Sequence, residues 1–245
     1  MLRLLVLACF ACFICCLAMR PAGAGEPEFR DYTCFQTAAP YSLELDIGSD
    51  VAIVYGVNPT FADRVEQWRS KGYTVSMMTG ISWGGYSDYY MVDGELKRDE
   101  IQTVKSGRLL MHGRSTTVGY NVPSPAYIEY VKDLMAPAVD AGVKAVYLEE
   151  PEYWARAGWS EGFKREWKRF YGEEWQPPDS SPDAQYRASK LKYELYFNAL
   201  KEVFAHVKAL AKEKGIEVEC HVPTHSMINY AHWRIVSPEL SLIHI

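Results

Sequence analysis

Short apolar runs alternate with amphipathic stretches from about residue 50 onward, and that alternation is the strongest signal in the chain. Residues 51–56 form a continuous apolar run of strand length. Phe61, Val65 and Trp68 then recur at helical spacing before Gly72. Residues 73–78 read as a second strand, 109–112 as a third, 144–148 as a fourth and 216–222 as a fifth. Between them the pattern predicts a helix from Ser124, with Pro125 in its first turn and Gly142 past its end, a helix over 161–171, and a long one over 182–214. Trp233 to Val236 is a last strand-like piece. Residues 79–100 read as a long polar loop, and loops of that length in a compact domain usually carry function.

Strands that are apolar throughout, each followed by a helix, predict a parallel sheet covered by helices. A doubly wound sheet satisfies the same periodicity. However, Gly56-Val57-Asn58-Pro59 after the first strand lacks the glycine spacing that cradles a phosphate. The carboxyl ends of the strands instead carry Tyr55 and Asn58, Ser82 and Trp83, His112 and Arg114, Glu149 and Glu150, and His221 and His225. Polar groups converging from successive strand ends are the signature of a barrel whose site lies on its C-terminal face. The expected fold is therefore α/β, a partial (β/α)8 TIM barrel of five to six βα units.

The amino terminus changes the picture of where this barrel works. Arg3 precedes an apolar run to Met19, followed by Arg20, Pro21 and small residues, the pattern of a signal peptide cleaved after Ala24. The run falls short of the roughly 20 apolar residues that cross a bilayer. The expected organisation is a signal peptide over 1–24, a lead segment over 25–50, the partial barrel over 51–239, and a tail over 240–245 that resembles adapter read-through more than native chain. The expected location is secreted or periplasmic, with no stable membrane span after cleavage. Four of the six cysteines fall inside the leader, leaving Cys34 and Cys220, so no disulfide scaffold is expected. A net charge of -5 argues against a nucleic-acid partner, and 13% aromatic residues with seven tryptophans suits a carbohydrate substrate as well as a large core.

The sharpest chemical feature is Val146-Tyr147-Leu148-Glu149-Glu150-Pro151-Glu152-Tyr153-Trp154, an apolar strand ending in three carboxylates among proline and aromatics. Carboxylates crowded in a partly dry cleft hold protons more tightly, which lets one of them act as a general acid near neutral pH. Regular strand alternation sends Glu149 and Glu150 to opposite faces unless a bulge intervenes, so one of the two should face the cleft. The competing reading is a solvated acidic loop. Trp83, with Tyr86, Tyr89 and Tyr90, would offer stacking surface to a sugar ring or simply anchor its own loop. His112, Arg114, His221 and His225 are candidates for contacts to sugar hydroxyls or acidic groups, and Glu152 and Trp154 for the rim of the site.

Leu148-Glu149-Glu150-Pro151 resembles the Asn-Glu-Pro motif at the fourth strand of clan-A glycoside hydrolases. The stretch from Gly158 to Gly172 is similar to the segment that follows that strand in β-galactosidase-like barrels. The resemblance implies a retaining glycosidase with Glu150 as acid/base, no cofactor and no metal. It also implies a nucleophilic carboxylate about 5 Å away, supplied from a seventh strand beyond the end of this chain. Glu149 stands where the family has the asparagine that contacts the substrate, a departure that bears on substrate and mechanism. Two other readings compete: a non-catalytic carbohydrate-binding barrel, and a metal-dependent hydrolase using His112, His221, His225 and the acidic trio.

Overall fold

The computed structural model describes residues 32–224 and the strand Arg234–Val236. The expected leader, the tail, His225 and Trp233 lie outside the described residues.

Five parallel strands form the central sheet: β1 (Cys34–Thr37), β2 (Val51–Tyr55), β3 (Thr74–Gly80), β6 (Ala145–Glu149) and β8 (Glu219–His221), hydrogen-bonded in that order. The order in space follows the order along the chain. A doubly wound sheet reverses direction at a switch point, so strictly sequential order removes that alternative and matches the wall of a barrel. Three crossover helices link the strands: α1 (Phe61–Arg69), α3 (Pro125–Asp140) and the long α5 (Pro182–Glu213). A shorter helix, α4 (Glu161–Tyr171), precedes α5.

Strand alternation divides the sheet into two faces. Ala52, Val54, Val75, Met77, Val146 and Leu148 are at most 3% exposed, and they share one core with Val65 and Trp68 of α1, Met135 of α3, and Val203 and Val207 of α5. On the opposite face, Tyr55, Tyr147, Glu149 and His221 are only half-buried. Tyr55, Met78, Tyr147 and His221 form one row across four strands. Burial pushes the Tyr147 phenol up, and Cys34 and Glu219, which lie on the two edge strands, push it further, as expected if the sheet curls toward this face. Cys34 shares the face of its register partner Val51, whereas Cys220 shares that of Val146, so the two thiols point to opposite sides and stay free.

Local sequence explains the helix ends. Ser124, Ser160 and Ser181 cap α3, α4 and α5 by accepting from Tyr127, Phe163 and Ala184 backbone N–H groups, and prolines occupy the first positions of α3 and α5. In α5, Ala188, Leu191, Leu195, Ala199, Val203 and Val207 recur at three- and four-residue steps and all are buried.

Three strand assignments from the pattern are corrected. The lead segment supplies β1, a four-residue edge strand whose exposed Cys34 and Gln36 mask the alternation. Residues 109–112 are no sheet strand: they belong to an excursion between β3 and α3, held by isolated bridges Thr103–Leu109 and Met111–Gly119. One strand missed and one counted in excess leave Glu149 at the end of the fourth strand after all. The supposed loop at 79–100 is also packed. It holds the one-turn helix α2 (Ser87–Tyr90) and the ribbon β4 (Met91–Val92) with β5 (Glu95–Leu96), and buries Tyr86, Tyr89 and Tyr90. Finally, β9 (Arg234–Val236) is not a sixth wall strand, since it pairs antiparallel with β7 (Glu152–Trp154) outside the central sheet.

Candidate active site

The backbone at Glu150 has φ of +56°, one of two non-glycine residues in the left-handed region among the described residues. A side chain there costs about 1–2 kcal/mol, so the surroundings must enforce it. They do so from both sides: the Glu150 N–H donates to the Pro223 carbonyl at 3.0 Å, and its carbonyl accepts from the Glu152 N–H at 2.7 Å. This irregularity overturns the simple alternation expected for adjacent glutamates. Glu149 and Glu150 line the same cleft, of about 240 Å3, together with Gln36, Met78, Pro223 and Thr224.

Each carboxylate has an aromatic donor. Tyr55, at the end of β2, donates its hydroxyl to Glu149 Oε1 at 2.5 Å, and burial and this neighbouring charge raise the phenol's pKa. Trp83 donates its indole N–H to Glu150 Oε2 at 2.6 Å. Trp83 in turn stacks on His112, with centroids 3.7 Å apart and planes 8° from parallel, and lies 6.4 Å from the Tyr55 ring. Burial lowers the His112 pKa while the Glu150 charge opposes that shift, which favours a neutral ring against Trp83. The resulting cluster brings four sequence candidates together: Glu149, Glu150, Trp83 and His112.

The turn carrying Trp83 is tightly built. A side chain on Gly80 would place its Cβ 2.0 Å from the Trp83 carbonyl oxygen, so the close approach requires glycine. Asn121 holds the turn by donating its side-chain amide to the Ile81 carbonyl and its backbone N–H to the Ser82 carbonyl, both at 2.9 Å, and the Tyr127 hydroxyl donates to Ile81 at 3.1 Å.

The remaining candidates lie elsewhere. Glu152 is fully buried, 3.5 Å from the hydroxyl of Thr224, which lines the cleft. Trp154 packs edge-on against Tyr120, with the Arg156 guanidinium over its ring. His221 sits on the open sheet face, stacked on Tyr147 and bonded to Glu219 at 2.9 Å, one residue pair below Glu149. Arg114 is exposed at the turn after His112. Among the described residues no group of three or more His, Cys, Asp or Glu could hold a metal ion, so the metal-dependent reading finds no ligand set there. Tyr86 and Tyr89 anchor the excursion against Tyr127 and Tyr130, Tyr90 packs on Tyr89 and donates its hydroxyl to the Gly119 carbonyl, and all three are buried and offer no stacking platform.

Sequence reasoning passed over Gln36, because its strand was missed, and over Gly80 and Asn121, whose roles depend on contacts far along the chain. The segment 158–172 also gains a structural account. Ser160 caps the helix, Phe163 and Trp167 are 0% exposed, and Gly172 ends it with φ of +71°. Folding alone explains those residue types.

No family model matches the chain, and no curated sequence does. Among solved structures, the chain is similar to the glycoside hydrolase domain of PgaB (BpsB) from Bordetella bronchiseptica, with a TM-score of 0.55 at 10% identity. That match covers 80% of this chain and 62% of the other, so the chain spans less than two thirds of its relative's length. The glycoside hydrolase domain of PelA from Pseudomonas aeruginosa matches at a TM-score of 0.38 and 10% identity, over 77% of this chain and 58% of that one. An α-galactosidase from Thermus thermophilus matches at 0.32 and 12%, over 71% and 33%. The first likeness shows a shared fold. The other two are too distant to argue from.

Among the described residues no helix is long and apolar enough to cross a membrane.

Proposed function

We propose that the chain is part of a (β/α)8 barrel that hydrolyses glycosidic bonds, with Glu150 as the general acid. The observation that carries this reading is the buried Glu150 carboxylate, 7% exposed on a left-handed backbone, sharing a cleft with Glu149 at the carboxyl end of the fourth parallel strand. Glycoside hydrolysis pairs a carboxylic acid that protonates the leaving group with a second carboxylate, and Glu150 takes the first of these roles in this reading. The Trp83 N–H fixes one oxygen of Glu150 and so aims the other. Glu149, held by Tyr55, is suited to accept hydrogen bonds from sugar hydroxyls, the task of the asparagine it replaces in the clan-A motif. His112 and Trp83 form one wall of the approach, and Arg114, Glu152, Trp154 and His221 have at most outer roles in this reading. Export by the amino-terminal leader would place the enzyme where polysaccharide is met.

The test is hydrolysis of a panel of soluble polysaccharides and aryl glycosides by the full-length protein and by Glu150→Gln. The expected outcome is a loss of turnover of about 10²-fold or more in the variant, the usual worth of a general acid. Unchanged hydrolysis by Glu150→Gln would remove the assignment, and binding of glycan without bond cleavage by the wild type would leave a carbohydrate-binding barrel in its place.

A further inference from the structure

A larger cavity, of about 610 Å3, lies outside this cleft, and its walls are basic. Lys192, on α5, lines it while only 1% exposed. Its ammonium donates to the Ala155 carbonyl at 2.6 Å, and the Tyr153 and Phe163 rings lie 5.9 and 6.0 Å away. A carbonyl and two ring faces supply partial negative charge only, whereas a buried ammonium calls for a full counter-charge. Arg156, exposed, and Lys105 stand on the same walls, and the carboxylate among the lining groups, Asp179, is already bridged to Lys105 at 2.5 Å. Three cations thus face one carboxylate that is spoken for. Gln185 and Ser189 line the cavity from the same stripe of α5 as Lys192, at steps of four and three residues, and offer neutral donors beside the charge.

We propose that this cavity is a binding site for a small oxyanion, a carboxylate or a sulfate- or phosphate-type group, held by Lys192 and Arg156 with Gln185 and Ser189 as supporting donors. The proposal does not depend on the hydrolase reading, because none of these residues lines the Glu149–Glu150 cleft. Charge-assisted hydrogen bonds in a partly dry pocket are the strong kind, and Arg156 and Lys192 would approach the anion from different chain segments. Desolvation alone pushes the Lys192 amine down to about 7, with no carboxylate acting to raise it. An anion would therefore draw a proton onto Lys192 as it binds. The charged groups lining the cavity with that amine are Arg156, Lys105 and Asp179.

Calorimetric titration of the full-length protein with sodium acetate and with sodium sulfate at pH 8, at ionic strength held constant with chloride, tests this. Neither anion titrates at that pH, and the two arms separate planar from tetrahedral recognition. Saturable binding of at least one anion is expected, with net proton uptake read from buffers of different ionisation heat. Lys192→Met should weaken binding at least about tenfold and abolish the uptake, and Arg156→Gln, at an exposed position that folding tolerates, should weaken it about tenfold. Lys168→Gln, a surface change on α4, should leave affinity unchanged. Absence of saturable binding by both anions would overturn the site, as would wild-type affinity in both Lys192→Met and Arg156→Gln.

Discussion

Replacing Glu150 by glycine and, separately, by alanine isolates the backbone cost of the site. Both variants delete the carboxylate, its bond to Trp83 and its charge, so those losses cancel in the comparison. What remains is the φ of +56°. An L-residue with a Cβ pays about 1–2 kcal/mol there, whereas glycine pays nothing in the folded state but loses about 0.4–1 kcal/mol more chain entropy on folding. Glu150→Gly should therefore be more stable than Glu150→Ala by about 0.5–1 kcal/mol, which corresponds to about 1–4 °C in Tm for a domain of this size. Urea denaturation followed by circular dichroism, with the two variants sharing one m-value, measures the difference directly. If alanine proved equal to glycine or better, the left-handed strain at Glu150 would not exist in solution. A left-handed turn at Glu150 would then not be what brings both glutamates into one cleft.

Trp83→Phe keeps an aromatic ring against His112 but removes the indole N–H, leaving Glu150 without that donor; hydrolysis should fall about tenfold and stability by about 1.5–3 kcal/mol, the worth of a hydrogen bond to a charged group. Wild-type rates in that variant would show that Trp83 does not position the acid. Gly80→Ala drives a Cβ into the Trp83 carbonyl and should cost about 2 kcal/mol or more together with activity; an unchanged urea midpoint would mean that the turn is not tight. Lys192 binds fewer protons folded than unfolded between pH 7 and the ordinary lysine value of 10.5, so its penalty is full below pH 7 and fades as pH rises through that window. Lys192→Met should accordingly be stabilised relative to wild type most at pH 6 and progressively less toward pH 10, and a pH-independent difference between the two would refute the depressed amine.

The helices were legible because their signals are local: capping serines, prolines in first turns, closing glycines and three- to four-residue apolar steps all lie within the element they define. Strands were legible only where one face is wholly apolar, as at Val51–Tyr55 and Ala145–Glu149. Cys34–Thr37 escaped because one side of a short edge strand is wet, and residues 109–112 misled because a short apolar run packs equally well in a folded excursion. At the site, Glu150 was visible as a carboxylate ending an apolar strand, but its geometry was not. Its left-handed backbone depends on Pro223, and its donor depends on a turn held by Asn121 and Tyr127. Such long-range contacts leave no periodic trace.

The sequential order of the strands also sets when the site can be completed during translation. Each unit docks on the edge left by the one made before it, and domains tend to fold from the amino terminus as the ribosome releases them. Tyr55, Trp83, His112, Glu149 and Glu150 have all been made by the time the chain reaches β7. The Pro223 carbonyl that accepts the Glu150 N–H arrives only after the whole of α5. A nascent chain would therefore hold the carboxylate side chains together before it can lock the backbone that aims them, and Glu150 would be aimed only when the fifth strand is in place.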